Sequence, residues 1–457
     1  MSRWNTDLIR RYGVSGPRYT SYPPALHFHE EVTHGDYLAA VEAGNLARRP
    51  VSLYLHIPFC RSVCYYCACN RIVTADQRKA SDYVQRLKKE LTLRGQHIDR
   101  QRPVEQLHWG GGTPTYISDA EITELVYHTA RQFHLLDNDR GDYAIEIDPR
   151  TVTSNRVGLL RGLGFNRVSL GVQDLDPKVQ QAVNRIQPYE QIAEVFDWVR
   201  DFGFKSVNTD LIYGLPWQSE SSLARTLELL IQLRPDRVSL YNYAHMPARF
   251  KVQKQINEQA LPAAEEKLRM MARAGQMLEE AGYLLIGMDH FALPDDELAL
   301  AQKAGQLHRN FQGYTLHGNA DVIACGTSAI SQIGNFYSQN WKTLDRWQAD
   351  IDDDVLPLER GYLLDRDDEI RRALISELLC HMSVDMDAFS ERWQVEGRQY
   401  FAREWMQLLR LEKDGLVALE DARIHLTDSG RLLARAVAML FDSFLGAGAG
   451  NRYSRII

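Results

Sequence analysis

Cysteine is scarce in this chain, with six in 457 residues. A small secreted fold stapled by disulfides would carry far more. No run of about 18 consecutive apolar residues occurs, so no membrane-spanning helix is expected. The opening Met-Ser-Arg-Trp-Asn-Thr-Asp holds no apolar signal region. A reducing cytoplasm is therefore the expected compartment. Positive charge is not in excess either: 53 Lys and Arg face 60 Asp and Glu, a net charge of −7. That argues against a nucleic-acid partner, which favours a basic face. Internal repeats, low-complexity tracts and long heptad runs are all missing, and a monomer is the expectation. What is present is ordinary for a globular enzyme: 44% hydrophobic and 25% charged residues. The length suits one large domain and a smaller one.

Four of the six cysteines crowd into one stretch, Cys60-Arg-Ser-Val-Cys64-Tyr-Tyr-Cys67-Ala-Cys69. Three thiolates spaced C-x3-C-x2-C can hold three irons of a 4Fe–4S cluster and leave the fourth iron open. An open metal position marks a catalytic site rather than a structural one. The amino and carboxylate groups of S-adenosylmethionine suit that position. An electron from the cluster then cleaves the sulfonium and releases a 5′-deoxyadenosyl radical. The alternative is a structural zinc knot. Zinc sites usually set a second cysteine or histidine pair a dozen or more residues away, and none follows here. Cys325 and Cys380 read as buried packing residues.

Short β-branched and apolar runs near 51–57, 105–109, 143–147, 167–172, 206–212 and 237–242 read as strands. Amphipathic stretches such as Ser81–Leu91 and Ser222–Ile231 separate them. This alternation predicts parallel βαβ units. Six units favour an incomplete parallel (β/α)6-type barrel, an α/β fold; a doubly wound open sheet has the same periodicity. In both, function gathers at the carboxyl ends of the strands. Polar residues do follow the strands: Cys60, Gly110–Thr113, Glu146 with Asp148, Gln173-Asp174, Asp210 and Asn242–His245. The expected domains are an N-terminal arm over residues 1–50, a barrel with an extension over 51–358, and a C-terminal module over 359–457. The last reads as α-rich and winged-helix-like. Helices are expected over Asp368–His381, Met386–Trp393 and Gln399–Leu411, then a hairpin within Asp414–Thr427 and a final helix over Gly430–Phe444. Winged helices often bind DNA, but this segment holds 14 Lys and Arg against 17 Asp and Glu. It therefore reads as a lid or packing domain, with Gly446–Gly450 a flexible linker beyond it.

Several motifs together resemble one family over nearly the whole length. They are Gly16-Pro-Arg-Tyr-Thr-Ser-Tyr-Pro23, Tyr54-Leu-His-Ile-Pro-Phe-Cys60, His108-Trp-Gly-Gly-Gly-Thr-Pro114 and Asn208-Thr-Asp-Leu-Ile-Tyr-Gly-Leu-Pro216. Gly287-Met-Asp-His-Phe-Ala292 and His308-Arg-Asn-Phe-Gln-Gly-Tyr314 continue them. The chain resembles the oxygen-independent coproporphyrinogen III oxidases (dehydrogenases), radical S-adenosylmethionine enzymes of haem biosynthesis. The resemblance implies an oxidoreductase that decarboxylates two propionates to vinyl groups. It implies Cys60, Cys64 and Cys67 as cluster ligands and Cys69 as a retained cysteine that does not ligate. It carries adenosylmethionine contacts onto Tyr54, Gly111, Gly112, Thr113, Glu146, Gln173, Arg185, Asp210, Ala244 and Ile330. A second adenosylmethionine is implied beside the first, near Tyr66, Gly112, Thr113 and Ile330; Tyr66 stands where the family usually has Phe. Cys69, Tyr54 and Glu146 are the catalytic candidates.

Substrate candidates follow from chemistry, since guanidinium forks suit carboxylates and aromatic faces suit pyrroles. They are Arg18 and Tyr19 in the arm, His56, and Arg309, Phe311 and Gln312. An electron donor such as flavodoxin or ferredoxin is implied. A haem-binding chaperone of the same superfamily is the alternative. It fits less well, because it lacks both the fourth cysteine and the Gly-Pro-Arg-Tyr arm.

Overall fold

The computed structural model describes residues 6–445; the expected glycine linker lies outside them. Strict alternation along six strands explains the architecture. In β1 (Val51–Ile57), Val51, Leu53, Leu55 and Ile57 are fully buried, while Ser52, Tyr54 and His56 point to the opposite face. The same period runs through β2 (Pro103–Gly111), β3 (Asp142–Ile147), β4 (Arg167–Gln173), β5 (Ser206–Tyr213) and β6 (Arg237–Asn242). Apolar residues such as Leu107, Trp109, Ile145, Leu170, Leu211 and Val238 join one large core. Each such side chain contributes about 1.5–3 kcal/mol of burial. Helices Gln77–Gly95, Asp119–Gln132, Ser154–Gly162, Tyr189–Asp201 and Glu220–Leu233 fill the crossovers.

All six strands are parallel, and their spatial order is their chain order. A doubly wound sheet reverses that order within such a run of strands; these six keep one direction, which is the barrel-like reading. Register aligns the polar face. Tyr54 lies beside His108, Glu146 beside Ser169, Ser169 beside Asn208, and Asp210 beside Ser239. The lumen is therefore polar along its length and not only at the strand ends.

The barrel is open. Beyond β6 lies the antiparallel pair β7 (Leu284–Gly287) and β8 (His290–Ala292). Beyond β1 the sheet continues with parallel β9 (Asp321–Cys325), then antiparallel β10 (Ile330–Ile333), β11 (Phe336–Asn340) and β12 (Leu358–Leu363). Among the described residues the two outer strands do not pair with each other. The sheet thus runs to Leu363, past the boundary drawn at 358.

The C-terminal module has its own core, built from helices Arg366–His381, Met386–Trp393 and Ala402–Lys413. Its hairpin, β14 (Val417–Glu420) and β15 (Arg423–Leu426), gains a third strand, β13 (Ser383–Asp385). The single final helix expected over 430–444 is instead three short pieces, Asp428–Leu432, Ala434–Ala438 and Met439–Phe441. The break at Leu433 lets both Leu433 and Arg435 be buried. The N-terminal arm is bound to this module. Tyr19 donates to Asp442 at 2.9 Å and Tyr22 lies 2.9 Å from Ser443 Oγ, with both rings inside the module's core. Among the described residues no helix is long and apolar enough to cross a membrane.

Candidate active site

The cysteine loop leaves β1 and is pinned on every side. Phe59–Cys60 pairs with Ile72–Val73, the Tyr65 N–H donates to Val183 O at 3.0 Å, and Asn184 donates to Val63 O at 2.8 Å. The end of β2 closes on it, as Gly112 N and Thr113 N donate to Ile57 O and Phe59 O at 2.9 and 2.8 Å. A Cβ on Gly112 would stand 2.6 Å from Pro58 O. The first service of that glycine is thus to let strand end and cysteine loop meet.

One cleft of about 400 Å³ gathers Cys60, Cys64, Cys67 and Cys69 with Tyr66, Gly111, Gly112, Thr113, Glu146, Gln173, Arg185 and Asp210. Donors are aimed at the sulfurs: Thr113 Oγ1 lies 3.6 Å from Cys60 Sγ, and Arg185 and Arg150 lie 3.6 and 3.9 Å from Cys64 Sγ. A hydrogen bond from Cys69 pulls the Cys67 thiol down to about 6, with Arg71 assisting, whereas burial pushes Cys60 up to about 11. Among the described residues no three such ligands converge as they would on a single ion. Three thiols carried by one loop, with Thr113, Arg150 and Arg185 beside their sulfurs, suit a cluster whose irons each take one thiolate.

Glu146 sits deep in the fold yet keeps 41% of its side chain accessible, because it faces the cleft. Burial pushes its carboxyl up, but His108 at 3.2 Å and the Gly111 N–H at 3.2 Å outweigh that and hold it below its ordinary value. Gly110 makes room, since a Cβ there would stand 2.8 Å from Glu146 Oε1. Tyr54 stacks on His108, ring centroids 5.8 Å apart, and its hydroxyl lies 3.1 Å from His56 Nδ1. Burial lowers His56, whose Nε2 meets Asn70 O at 3.0 Å. Tyr54 and His56 thus stand behind the cleft wall. Asp210 is pushed up to about 6 by burial and by the charge of Glu146. Gln173 holds a positive φ of 69° at the cleft wall, a conformation that concentrates at functional sites.

Arg185 is not a solvated helix residue. It is buried, contacts Asp148 at 3.2 Å and Gly171 O at 2.5 Å, and keeps a buried Nε without an acceptor. Ala244 lies outside the cleft lining, but Gln253 Nε2 bridges its carbonyl and that of Tyr66 at 3.2 and 3.0 Å. Ile330 and Phe311 pack instead around Phe28 and Tyr337. Gln312 lines the lumen and bonds Ser52. Arg18 and Arg309 meet on the far side of the lumen, while Tyr19 serves the C-terminal core. Sequence reasoning missed His108, Arg150 and Arg71, the last donating to Cys67 O and Cys69 O at 3.4 and 3.3 Å. Their signal was available: His108 is two residues from the glycine run and in phase with Tyr54.

Residues 54–230 match the Radical SAM superfamily and residues 364–433 the HemN C-terminal domain. The chain is 49% identical over 455 residues to the oxygen-independent coproporphyrinogen III oxidase of Pseudomonas aeruginosa, covering 100% of this chain and 99% of the relative. It is 45% identical to that of Escherichia coli, covering 99% and 98%. The solved structure of coproporphyrinogen III oxidase (HemN) from Escherichia coli, a radical SAM enzyme, superposes with a TM-score of 0.92 at 44% identity. That superposition covers 97% of this chain and 99% of the other.

Proposed function

This chain belongs to the oxygen-independent coproporphyrinogen III oxidases of the radical S-adenosylmethionine superfamily, and from that membership we propose how its own residues run the reaction. It is an oxidoreductase of haem biosynthesis that turns coproporphyrinogen III into protoporphyrinogen IX. Two propionates become vinyl groups, each losing CO2, one hydrogen atom and one electron. The bound 4Fe–4S cluster and S-adenosylmethionine supply the 5′-deoxyadenosyl radical that removes the hydrogen atom.

Cys60, Cys64 and Cys67 would hold the cluster, with Thr113, Arg150 and Arg185 donating to their sulfurs. Cys69 would serve as a hydrogen-bond donor to Cys67 rather than as a ligand. Ionised Glu146, oriented by His108 and Gly111, would take the methionine ammonium through a charge-assisted hydrogen bond. Arg185 would offer its buried Nε to the methionine carboxylate. Asp210 would accept from ribose hydroxyls, and the Gln253 bridge would fix the Ala244 carbonyl. Gly111, Gly112, Thr113 and Tyr66 would shape the wall, with room for a second adenosylmethionine at Tyr66, Gly112 and Thr113. Tyr54 would support His108 from behind. The polar lumen, which shares Glu146, Ser169 and Asp210 with the cleft, would receive the reacting carbon. An electron donor of the flavodoxin or ferredoxin type, a cytoplasmic location and a monomeric state complete the proposal.

The observation that carries this reading is the single cleft joining four thiols to Glu146, Arg185 and Asp210 at the carboxyl ends of parallel strands. An anaerobic assay tests it. Reconstituted protein with adenosylmethionine, a one-electron reductant and a one-electron acceptor should make protoporphyrinogen. Haem binding without turnover would revive the chaperone alternative, which the full-length oxidase relatives otherwise set aside.

A further inference from the structure

Three guanidinium groups from three separate parts of the chain converge at the barrel mouth. Arg18 comes from the N-terminal arm, Arg309 from the ribbon at 308–315, and Arg435 from the C-terminal module. Arg18 stands 5.6 Å over the Tyr241 ring and 3.4 Å from Asp289. Arg309 stands 4.9 Å over the Tyr314 ring and donates to the Arg18 carbonyl at 3.4 Å. Arg435 is only 4% exposed, and Asp289, Arg18 and Arg309 are among the charged groups that act on it. Asp289 is thus a carboxylate shared by Arg18 and Arg435. Neighbouring His290 adds no charge, since burial and Arg309 hold it at about 4.

Two observations indicate that a ligand completes this group. Arg309 keeps both Nε and Nη1 buried without an acceptor, which is costly unless an anion arrives. The group also lies between two spaces. Arg309 lines an interdomain cleft of about 500 Å³, while Tyr241, His290 and Tyr314 line the polar lumen. Nε and Nη1 lie on different edges of the guanidinium, so each offers its own charge-assisted hydrogen bond to an anion. Arg18 and Arg309 alone carry two positive charges to the one negative charge of Asp289, which leaves charge for a further carboxylate.

We propose that Arg18, Arg309 and Arg435 form an interdomain carboxylate-binding site, with Asp289 as its resident counter-ion, and that it grips a propionate of the substrate other than the one reacting. The proposal rests on the porphyrinogen reading above. It gives the C-terminal module a direct part in holding substrate, because Arg435 alone of the three belongs to that module.

The test titrates cluster-loaded protein anaerobically with coproporphyrin III and with its tetramethyl ester, read by porphyrin fluorescence, and measures turnover of coproporphyrinogen III in parallel. Arg309→Gln and Arg435→Met should each weaken the acid by about ten-fold or more and leave the ester unchanged. Asp289→Asn should tighten the acid, since it removes a competing anion; a merely structural role for Asp289 would not do that. Acid affinity unchanged in Arg309→Gln, or acid and ester weakened alike, overturns the site. If Arg435→Met does not fold, Arg309→Gln and Asp289→Asn decide the matter. Wild-type protein that binds the acid through these arginines yet makes no protoporphyrinogen overturns the activity and leaves the site standing. Normal wild-type turnover with an unaltered KM in Arg309→Gln does the reverse.

Discussion

Removing a single thiol separates ligand from neighbour. Cys60→Ala, Cys64→Ala or Cys67→Ala should each abolish cluster retention, whereas Cys69→Ala should keep about four irons per chain. Iron analysis after anaerobic purification checks this, and equal iron loss in Cys69→Ala and Cys64→Ala would show that Cys69 ligates. Glu146→Ala should weaken adenosylmethionine binding by about 1.5–3 kcal/mol with the cluster intact, because Glu146 touches no cluster sulfur. Calorimetry on that variant at matched iron content is the measurement, and unchanged affinity would leave Glu146 a lining residue only. The thiols were legible in the sequence because their chemistry depends on spacing within one loop. Arg435 was not, because its meaning lies in partners brought from the arm and the ribbon.

At the scale of elements, the six strands were legible because each carries a two-residue period, interrupted in β2 between Val104 and Gln106, and a turn signal at its end. The ribbon at 308–315 was not, since its short strands pair mainly with each other and its anchoring is electrostatic. His317 contacts Glu105 at 3.1 Å and Asp142 at 2.9 Å, and Asp142 also binds Arg167. Burial opposes the charged forms, yet the pairing wins: His317 is raised above its ordinary value and Asp142 is held down to about 2. The raised histidine contributes stability in full below its unfolded value of about 6.5 and loses it as pH rises through the folded value. The depressed aspartate contributes above about 3.9 and loses its share as pH falls toward 2. His317→Ala should therefore destabilise by about 1.5–3 kcal/mol in the window between. The penalty should shrink at alkaline pH. Denaturant unfolding of both proteins across pH checks this, and a penalty that does not vary with pH would assign His317 to packing alone.

For the whole molecule, the open barrel, the separate C-terminal module and the cleft at the strand ends were all legible. The extension β9–β12 was not, because β9 returns across more than 260 residues to pair with β1. The arm's role was also read differently. Tyr19 looks like a phenol for a macrocycle, but both it and Tyr22 are spent on the C-terminal core. Deleting residues 1–24 should accordingly do two things: cut turnover sharply through loss of Arg18, and lower the melting temperature of the C-terminal module by several degrees. Calorimetry alongside the anaerobic assay at matched cluster content separates the two. Full activity with an unchanged transition would make the arm dispensable.

The union of Tyr19 with Asp442 and of Tyr22 with Ser443 also imposes an order on biosynthesis. A nascent chain emerges from its N-terminal side, so Tyr19 and Tyr22 are made 423 and 421 residues before the partners that hold them. The barrel strands β1–β6 and even β9 can assemble on the ribosome while the arm waits undocked. Arg18 reaches its place only once residue 443 has cleared the exit tunnel. A translation-arrested chain ending at 440 should therefore expose the arm to protease, while one tethered through an added linker that carries residue 443 clear of the tunnel should protect it. Emergence of Asp442 and Ser443 would then also be the step that seats the substrate arm, so that no chain lacking them could close over a porphyrinogen.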